Sequence, residues 1–214
     1  MPTPPTKGDL IVVSAPSGVG KTTLVKRLLR RVRELEFSIS YTTRPPRRGE
    51  RDGVDYHFIT PGRFRRMIRN REFLEWAEVY SHNYGTRKLD LKRILRQGKD
   101  VLLDLDTQGA GTVRKRMPGA ISVFILPPAA PDLNRRLRGR GLDSADSMRQ
   151  RYARAAGEIR QFPHYDYLIV NDRLDPALRS LEAVILSARC RLSRIRPQAR
   201  RILGTFRNAK RRSP

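Results

Sequence analysis

The chain has 214 residues, of which 38% are hydrophobic and 31% charged, enough for one compact domain with small insertions. Its 45 Lys and Arg against 21 Asp and Glu give a formal charge of +24, which predicts anionic partners: nucleotides, nucleic acid or an anionic membrane surface. A single cysteine, Cys190, excludes a disulfide framework and a multi-cysteine zinc site.

The N-terminal stretch, MPTPPTKGD, has prolines where a secretory signal needs an apolar run. No apolar run approaches the roughly 20 residues of a membrane span, so we expect a cytoplasmic protein in which residues 1–8 form a disordered lead-in. β-Branched residues over 9–14 predict a buried strand, and leucines at helical spacing over 21–34 predict a helix. A strand, a glycine-containing turn and a helix in this order are typical of the start of a βαβ unit.

The turn between that strand and helix carries a phosphate-binding motif. It departs from the pattern G-x-x-x-x-G-K-[ST] only at its first position. Gly18 and Gly20 allow successive N–H groups to face phosphate oxygens, while Lys21 suits the β- and γ-phosphates and Thr22 a magnesium ion. The motif predicts binding of a nucleoside triphosphate with Mg²⁺; an ordinary glycine-rich turn is the alternative. The predicted ATP site comprises Ala15, Pro16, Ser17, Gly18, Val19, Gly20, Lys21, Thr22 and Thr23.

Residues 37–88 are rich in Arg, Tyr, Gly and Thr and are predicted to form a small mixed insertion. Within it, Arg44 and Arg47 flank two prolines, which prevent a regular helix and stiffen the segment. Paired arginines on a stiff turn suit a bidentate grip on a phosphate group. A solvated basic loop is the alternative interpretation of this segment alone.

Three later apolar runs, 101–105, 121–126 and 167–170, predict further strands. Because the runs are continuous and not alternating, they favour parallel strands buried on both faces. Helices are predicted over 108–115, 132–138, 144–161 and 176–189. The predicted fold class is therefore α/β, a parallel sheet of the P-loop NTPase type flanked by helices.

Two acidic residues, Asp104 and Asp106, stand at the carboxyl end of the strand over 101–105. Ligands bind at this edge of a parallel sheet, so the pair is interpreted as a Walker-B-like site, although either residue alone is also compatible with an ordinary strand end. The arginine-rich segment 136–160 is predicted to be a mobile basic flap.

The C-terminal tail, 189–214, contains ten basic residues and no acidic one. A solvated, partly frayed helix interrupted at Pro197 is one interpretation. A basic amphipathic segment that contacts nucleic acid or an anionic membrane is the other.

Several motifs in order resemble those of guanylate kinases over about residues 8–188. They are the phosphate loop, SISYTTRPPRRGE, GVDYHF, FLEWAEV, YGT, LLDLDTQG, RLRGRG and IVND. The resemblance implies Mg²⁺-dependent transfer of the γ-phosphoryl group of ATP to GMP, giving ADP and GDP. It also implies a domain over 9–188 with a GMP-binding lobe over about 38–88 and a lid over about 137–160. A P-loop kinase for another nucleoside monophosphate, a non-catalytic guanylate-kinase-like interaction module and a nucleic-acid-binding protein are the rival interpretations.

The same resemblance implies roles for single residues. On the GMP side it implies Ser40, Arg44, Arg47, Tyr56, Glu75, Tyr84, Thr86, Asp104 and Asp106. As catalytic cations on the phosphates it implies Lys21, Arg136, Arg140 and Arg151, and it implies that Asn171 contacts adenine.

The chemistry of guanine gives an independent reason for Glu75. Guanine presents two adjacent donors, N1–H and the N2 amino group, which one carboxylate accepts together, whereas adenine presents an acceptor at N1. A buried carboxylate left unpaired is costly, so Glu75 in its apolar setting would reject adenine. From the residues alone, a surface glutamate on an amphipathic strand is the alternative.

Overall fold

The computed structural model describes residues 7–79, 81–138 and 145–210, without the side chains of 138, 145–151 and 207–210. The first elements are β1 (Leu10–Ser14), α1 (Lys21–Arg31), β2 (Leu35–Phe37), β3 (Tyr41–Thr42), β4 (His57–Phe58), α2 (Pro61–Arg69), β5 (Phe73–Val79), β6 (His82–Arg87) and α3 (Lys88–Arg96). They are followed by β7 (Asp100–Asp104), α4 (Thr107–Arg116), β8 (Ile121–Leu126), α5 (Ala130–Arg138), α6 (Ala145–Ile159), β9 (Tyr167–Val170), α7 (Leu174–Arg189) and α8 (Leu192–Lys210).

The main sheet has five parallel strands in the order β2-β7-β1-β8-β9. Along β1, Ile11 and Val13 enter a core shared with α1 and α7, whereas Leu10 and Val12 enter the opposite core, shared with α3 and α4. Alternate side chains of one strand are therefore buried on opposite faces, which is why these strands are continuous apolar runs. The predicted α/β class is confirmed.

The first helix is shorter than predicted. It ends at Arg31, because Val32 adopts extended backbone angles and Glu34 has a positive φ of 59° that turns the chain into β2. This three-residue strand was not predicted; it pairs with β7 at the edge of the main sheet. Its shortness and its central Glu36 leave no periodic pattern in the sequence.

The inserted segment forms a second sheet in the order β4-β3-β6-β5. Parallel pairing of β3 with β4 and antiparallel pairing of β6 with β3 and β5 make it mixed, as predicted. Its small core contains Tyr41, Phe64, Met67 and Phe73, and the rings of Phe64 and Phe73 stack at 4.5 Å. Strand β5 packs against α4, which places this second sheet beside the carboxyl edge of the main one.

The two ends of the described chain also differ from expectation. Gly8, assigned to the lead-in, belongs to the folded body, because its N–H donates to the Leu95 carbonyl oxygen at 3.1 Å. The interruption expected at Pro197 is wrong: helix α8 continues through this residue. A proline there removes one intrahelical hydrogen bond, which water replaces in an exposed helix. Among the residues that the structure describes, no helix combines the length and the apolar character needed to cross a bilayer.

Candidate functional site

The loop between β1 and α1 wraps a cavity of about 230 Å³ at the carboxyl edge of the main sheet. Gly18 and Gly20 have φ angles of 88° and 95°, a region that favours glycine. A Cβ at Gly18 would lie 2.7 Å from the Leu137 side chain, and one at Gly20 would lie 2.9 Å from the amide nitrogen of Asn171. The positive φ angles and the lack of room for a Cβ atom thus both require glycine at these two positions.

The start of α1 faces this cavity. The helix begins at Lys21, and its N-cap residue, Gly20, supplies no side-chain hydrogen bond to the first N–H groups. Those donors and the positive end of the helix dipole suit an anion. The Lys21 ammonium group pairs with the Asp104 carboxylate and donates to the Leu105 carbonyl oxygen at 2.9 Å. Lys21 therefore links the loop to the end of β7, and the adjacent Thr22 also lines the cavity.

Two predicted residues support the loop from behind. The Asn171 amide donates to the Val19 carbonyl oxygen at 2.7 Å, and the Arg136 guanidinium donates to the carbonyl oxygens of Val19 and Asn171 at 3.3 and 3.0 Å. Neither side chain lines the cavity of the loop. Both side chains therefore donate to main-chain carbonyl oxygens in this structure. The contact of Asn171 with adenine and that of Arg136 with phosphate stay predictions.

Helix α6 contributes to the same cavity. Arg140 lies outside the described residues, and Arg151 lies in α6 with a side chain that is not described. Arg154 and Glu158, one helical turn apart, line the cavity of the loop, and the Arg154 Nε donates to Glu158 at 3.2 Å. This pair was not predicted, although opposite charges at i, i+4 on a predicted helix indicate an ion pair on one face of that helix.

A second cavity, of about 330 Å³, lies between the inserted sheet and the end of β7. All the residues predicted on the GMP side line it except Thr86, which lies behind Glu75. The lining residues are Ser40, Arg44, Arg47, Glu50, Tyr56, Glu75, Ala77, Val79, Tyr84, Gly85, Asp104, Leu105 and Asp106. Residues more than 60 positions apart in the chain, such as Ser40 and Asp106, thus line one cavity.

At one end of this cavity, two arginines are organised by Glu50, which was not predicted. The Arg44 Nη2 donates to both Glu50 carboxylate oxygens, at 2.8 and 2.9 Å, and the backbone N–H of Arg47 donates to the same group at 2.8 Å. That backbone hydrogen bond and the nearby Arg44 lower the pKa of Glu50. The Arg44 guanidinium also lies over the rings of Tyr56 and Phe58, at 5.4 and 5.8 Å from their centroids. A buried arginine fork held this way is suited to an oxyanion.

At the other end lies Glu75, whose side chain is almost fully buried. It pairs with Thr86 across β5 and β6, and the Thr86 hydroxyl donates to its Oε1 at 2.5 Å. Burial raises the pKa of Glu75 to about 7, and the nearby Asp106 charge adds to the rise. Gly109 leaves room for this carboxylate, because a Cβ there would lie 3.0 Å from the Glu75 Oε2.

The two cavities adjoin at Asp106, which lines both. Its Oδ1 accepts a hydrogen bond from the Gly109 N–H at 2.8 Å and so caps the start of α4. Asp104, paired with Lys21 on the loop side, lines the Glu75 cavity as well. The phosphate loop and the guanidinium pair therefore open into neighbouring parts of one cleft.

The oxygen ligands of this cleft fit a magnesium ion that arrives with a nucleotide. Within the described residues, no group of three or more His, Cys, Asp and Glu side chains could hold a metal ion by itself. Mg²⁺ usually keeps water and phosphate oxygens and takes only one or two carboxylates from the protein. The Thr22 hydroxyl and the Asp106 carboxylate, both lining the loop cavity, supply this kind of ligand.

Comparison with known proteins gives concordant matches over most of the chain. A family model described as guanylate kinase matches residues 7–188. Guanylate kinase of Alkalilimnicola ehrlichii is 49% identical over 190 residues, 89% of this chain and 94% of the relative, and that of Dechloromonas aromatica is 53% identical over 178 residues, 83% and 88%. A crystal structure of guanylate kinase from Anaplasma phagocytophilum superposes with a TM-score of 0.73 at 30% identity, covering 88% of this chain and 90% of that one.

Proposed function

The chain belongs to the guanylate kinase family, and from this premise we propose that it transfers the γ-phosphoryl group of ATP to GMP, giving ADP and GDP. The observation that carries the proposal is the junction of the two cavities at Asp106. A phosphate-binding loop on one side and an arginine-and-carboxylate pocket on the other suit two nucleotides meeting phosphate to phosphate. Residues 9–188 form the kinase domain in this proposal, with the GMP-binding lobe over about 38–88 and the lid over about 137–160.

On the donor side, the main-chain N–H groups of 17–20 and the start of α1 bind the ATP phosphates. Lys21 neutralises charge that builds on the transferring group. Binding requires Lys21 to exchange some of its contact with Asp104 for phosphate oxygens, which the flexible lysine side chain allows. Asn171 and Arg136 keep the loop in its conformation from behind, and Asn171 also borders adenine.

On the acceptor side, Arg44 and Arg47 hold the GMP phosphate, with the hydroxyl groups of Tyr56 and Tyr84 beside it. The rings of these two tyrosines lie edge to face at 5.9 Å, which fixes both in place. Three groups from the connection between β3 and β4 and one from β6 thus converge on one phosphate, and this convergence orients the attacking oxygen toward ATP.

At the far end, the Glu75 carboxylate accepts the guanine N1–H and N2 amino hydrogens. Ser40 completes the base site, and Thr86 holds the Glu75 carboxylate in position from behind. Adenine would oppose its N1 lone pair to this carboxylate and leave it unpaired in a buried place. Selectivity for GMP over AMP therefore rests on Glu75.

The chemical step needs no general base, because the nucleophile is a GMP phosphate oxygen that is already anionic. That oxygen forms a bond to the γ-phosphorus of ATP, and the bond from this phosphorus to the β-phosphate oxygen breaks, leaving ADP. When bound with ATP, Mg²⁺ supplies neutralisation of phosphate charge; Thr22 and Asp106 are the residues that would hold it. Arg140 and Arg151 supply further positive charge from the lid, whose closure excludes water.

An assay of ADP formation with GMP, AMP, dTMP and no acceptor tests this proposal. We expect GMP to support a rate at least about a hundredfold above AMP and dTMP, because a site built around one hydrogen-bonding edge rejects the wrong base strongly. A preference for AMP or dTMP would make the chain a kinase for another nucleoside monophosphate. No acceptor-dependent ADP with any of them would leave a non-catalytic interaction module.

A further inference from the structure

Helix α8 lies beyond the residues matched by the family model, yet it is anchored to the folded body. The Arg194 guanidinium, in its first turn, donates to the carboxylates of Asp9 and Asp100 at 2.6 and 2.5 Å. Asp100 is fully buried and also accepts from the Arg189 Nε at 2.7 Å. The helix therefore starts at a fixed place on the body.

Past this anchor, large apolar side chains of α8 face solvent. Ile202, Leu203 and Phe206 are 53%, 54% and 67% exposed. At about 100° per residue these three lie on one side of the helix together with Ile195 and Ala199. Single exposed apolar residues are ordinary in soluble proteins, but a continuous stripe marks a contact surface.

Arginines border this stripe. Arg196 and Arg200 lie on one flank and Arg201 lies on the far face of the helix. All three are exposed, and no carboxylate in the described part of the chain forms an ion pair with them. The whole segment 189–214 contains ten basic residues and no acidic one. The surface thus combines an apolar stripe with uncompensated positive charge along one flank.

We propose that α8 binds the surface of an anionic lipid bilayer, with the stripe of 195–206 in the headgroup boundary and the flanking arginines on lipid phosphates. A second copy of this chain is a poor partner for the stripe, because two such helices repel each other. Nucleic acid would engage the arginines but leave Ile202, Leu203 and Phe206 in water. The bilayer is the one anionic partner that uses both parts of the surface.

The position of α8 is compatible with activity at a membrane. Its anchors, Asp9 and Asp100, stand at the amino ends of β1 and β7, whereas the phosphate loop and Asp104 follow the carboxyl ends of the same strands. The first turn of α8 and the nucleotide cleft are thus at opposite edges of the main sheet, so the attachment point of the helix does not obstruct the cleft.

Co-sedimentation of the full chain with lipid vesicles tests the proposal. One set of vesicles is phosphatidylcholine alone, and in the other about a third of the lipid is phosphatidylglycerol. The variants are I202S/F206S, which removes apolar surface, and R196Q/R200Q, which removes charge. The matched control, L89S/L186S, removes side chains of similar exposure on α3 and α7 (59% and 45%). All the substitutions are at exposed positions, and circular dichroism of each variant checks that it is folded.

We expect the unaltered chain and L89S/L186S to bind phosphatidylglycerol vesicles and not phosphatidylcholine alone. We expect I202S/F206S and R196Q/R200Q each to bind at least about tenfold more weakly, because both surface components contribute. The proposal is wrong if the unaltered chain does not co-sediment with phosphatidylglycerol vesicles at low salt. It is also wrong if I202S/F206S binds these vesicles as well as L89S/L186S does. Tight binding of an RNA oligonucleotide that I202S/F206S retains, without vesicle binding, would identify a nucleic-acid surface instead. None of these outcomes depends on kinase activity.

Discussion

The two halves of the nucleotide cleft are built in different ways. The donor half is one continuous segment, 15–22, in which the main-chain N–H groups and the start of α1 are suited to phosphate. The acceptor half is assembled from side chains on β5, β6 and the long connection between β3 and β4. Main-chain groups recognise phosphate whatever base it carries, whereas side chains can be arranged for one base.

A second difference concerns partners. The donor loop holds its shape through glycine conformations and the contacts of Asn171 and Arg136 with its carbonyls. In the acceptor half, the groups that would touch GMP already contact one another, Arg44 with Glu50 and Glu75 with Thr86. Substrate binding therefore displaces a carboxylate partner in each half, but only in the acceptor half does it involve a carboxyl group whose pKa is raised, that of Glu75. Base selectivity and pH dependence should consequently map to the acceptor half, and turnover to the donor half.

The largest expected effect is in the donor half. Lys21→Ala removes the cation nearest the transferring phosphate and should lower kcat about 10²–10³-fold, with little change in the KM for GMP. Lys26→Ala, an exposed lysine on the same helix, is the control and should keep full turnover. A Lys21→Ala enzyme that keeps its turnover but binds GMP poorly would reverse the comparison between the two halves.

In the acceptor half, Glu75→Gln should lower kcat/KM for GMP about a hundredfold, because an amide accepts through one oxygen and opposes its own N–H groups to those of guanine. The rate with AMP should not fall. Glu78→Gln, an exposed position on the same strand, is the control. Equal losses with GMP and AMP would show that Glu75 does not contact the base.

The pKa of Glu75, about 7 in the folded protein, predicts a pH dependence of GMP binding. GMP needs the ionised carboxylate, so the KM for GMP should rise up to about tenfold per pH unit below 7. Glu75→Gln provides the baseline, since its profile contains only the titration of the substrate phosphate. Parallel profiles for the two enzymes would contradict the prediction.

The same pKa predicts how stability varies with pH in the free protein. Between the ordinary carboxyl value of 4.5 and about 7, the folded state binds more protons than the unfolded state, so this group makes stability fall as pH rises across that window. The loss approaches about 3 kcal/mol. Urea unfolding should therefore find Glu75→Gln more stable than the unaltered chain at pH 8, with the difference shrinking near pH 5.

The smallest expected effect is at Glu50. Glu50→Ala releases Arg44 from its two hydrogen bonds and should raise the KM for GMP about five- to tenfold while kcat stays nearly constant, because the arginine must then be ordered by the substrate. Asp55→Ala, in the same connection and also accepting a backbone N–H, is the control. A lower KM would mean that Glu50 competes with the GMP phosphate.

The donor half of the cleft could be predicted from the sequence better than the acceptor half. The donor loop, β1, β8 and β9 were predicted with nearly correct bounds, because each is a continuous local pattern. Strand β2 was missed, since three residues at a sheet edge have no period, and Glu50 was missed because its partners are set by the folded arrangement. Arg154 was missed although its i, i+4 spacing from Glu158 is a local signal. The grouping of Arg44, Glu75 and Asp106 came from the family resemblance; no local pattern joins residues so far apart.

The buried carboxylate of Asp100 has a practical consequence. Its two cationic partners, Arg189 and Arg194, belong to the last residues of α7 and the first turn of α8, outside the region shared with the family. Truncating the chain after Ala188 would leave the buried Asp100 carboxylate without these two cations. This should lower the free energy of unfolding by about 3–5 kcal/mol, a large part of the stability of a typical domain. Versions shortened at this point would test the fold and not the tail, so the role of the C-terminal segment is better tested by substitutions in the intact protein, such as I202S/F206S.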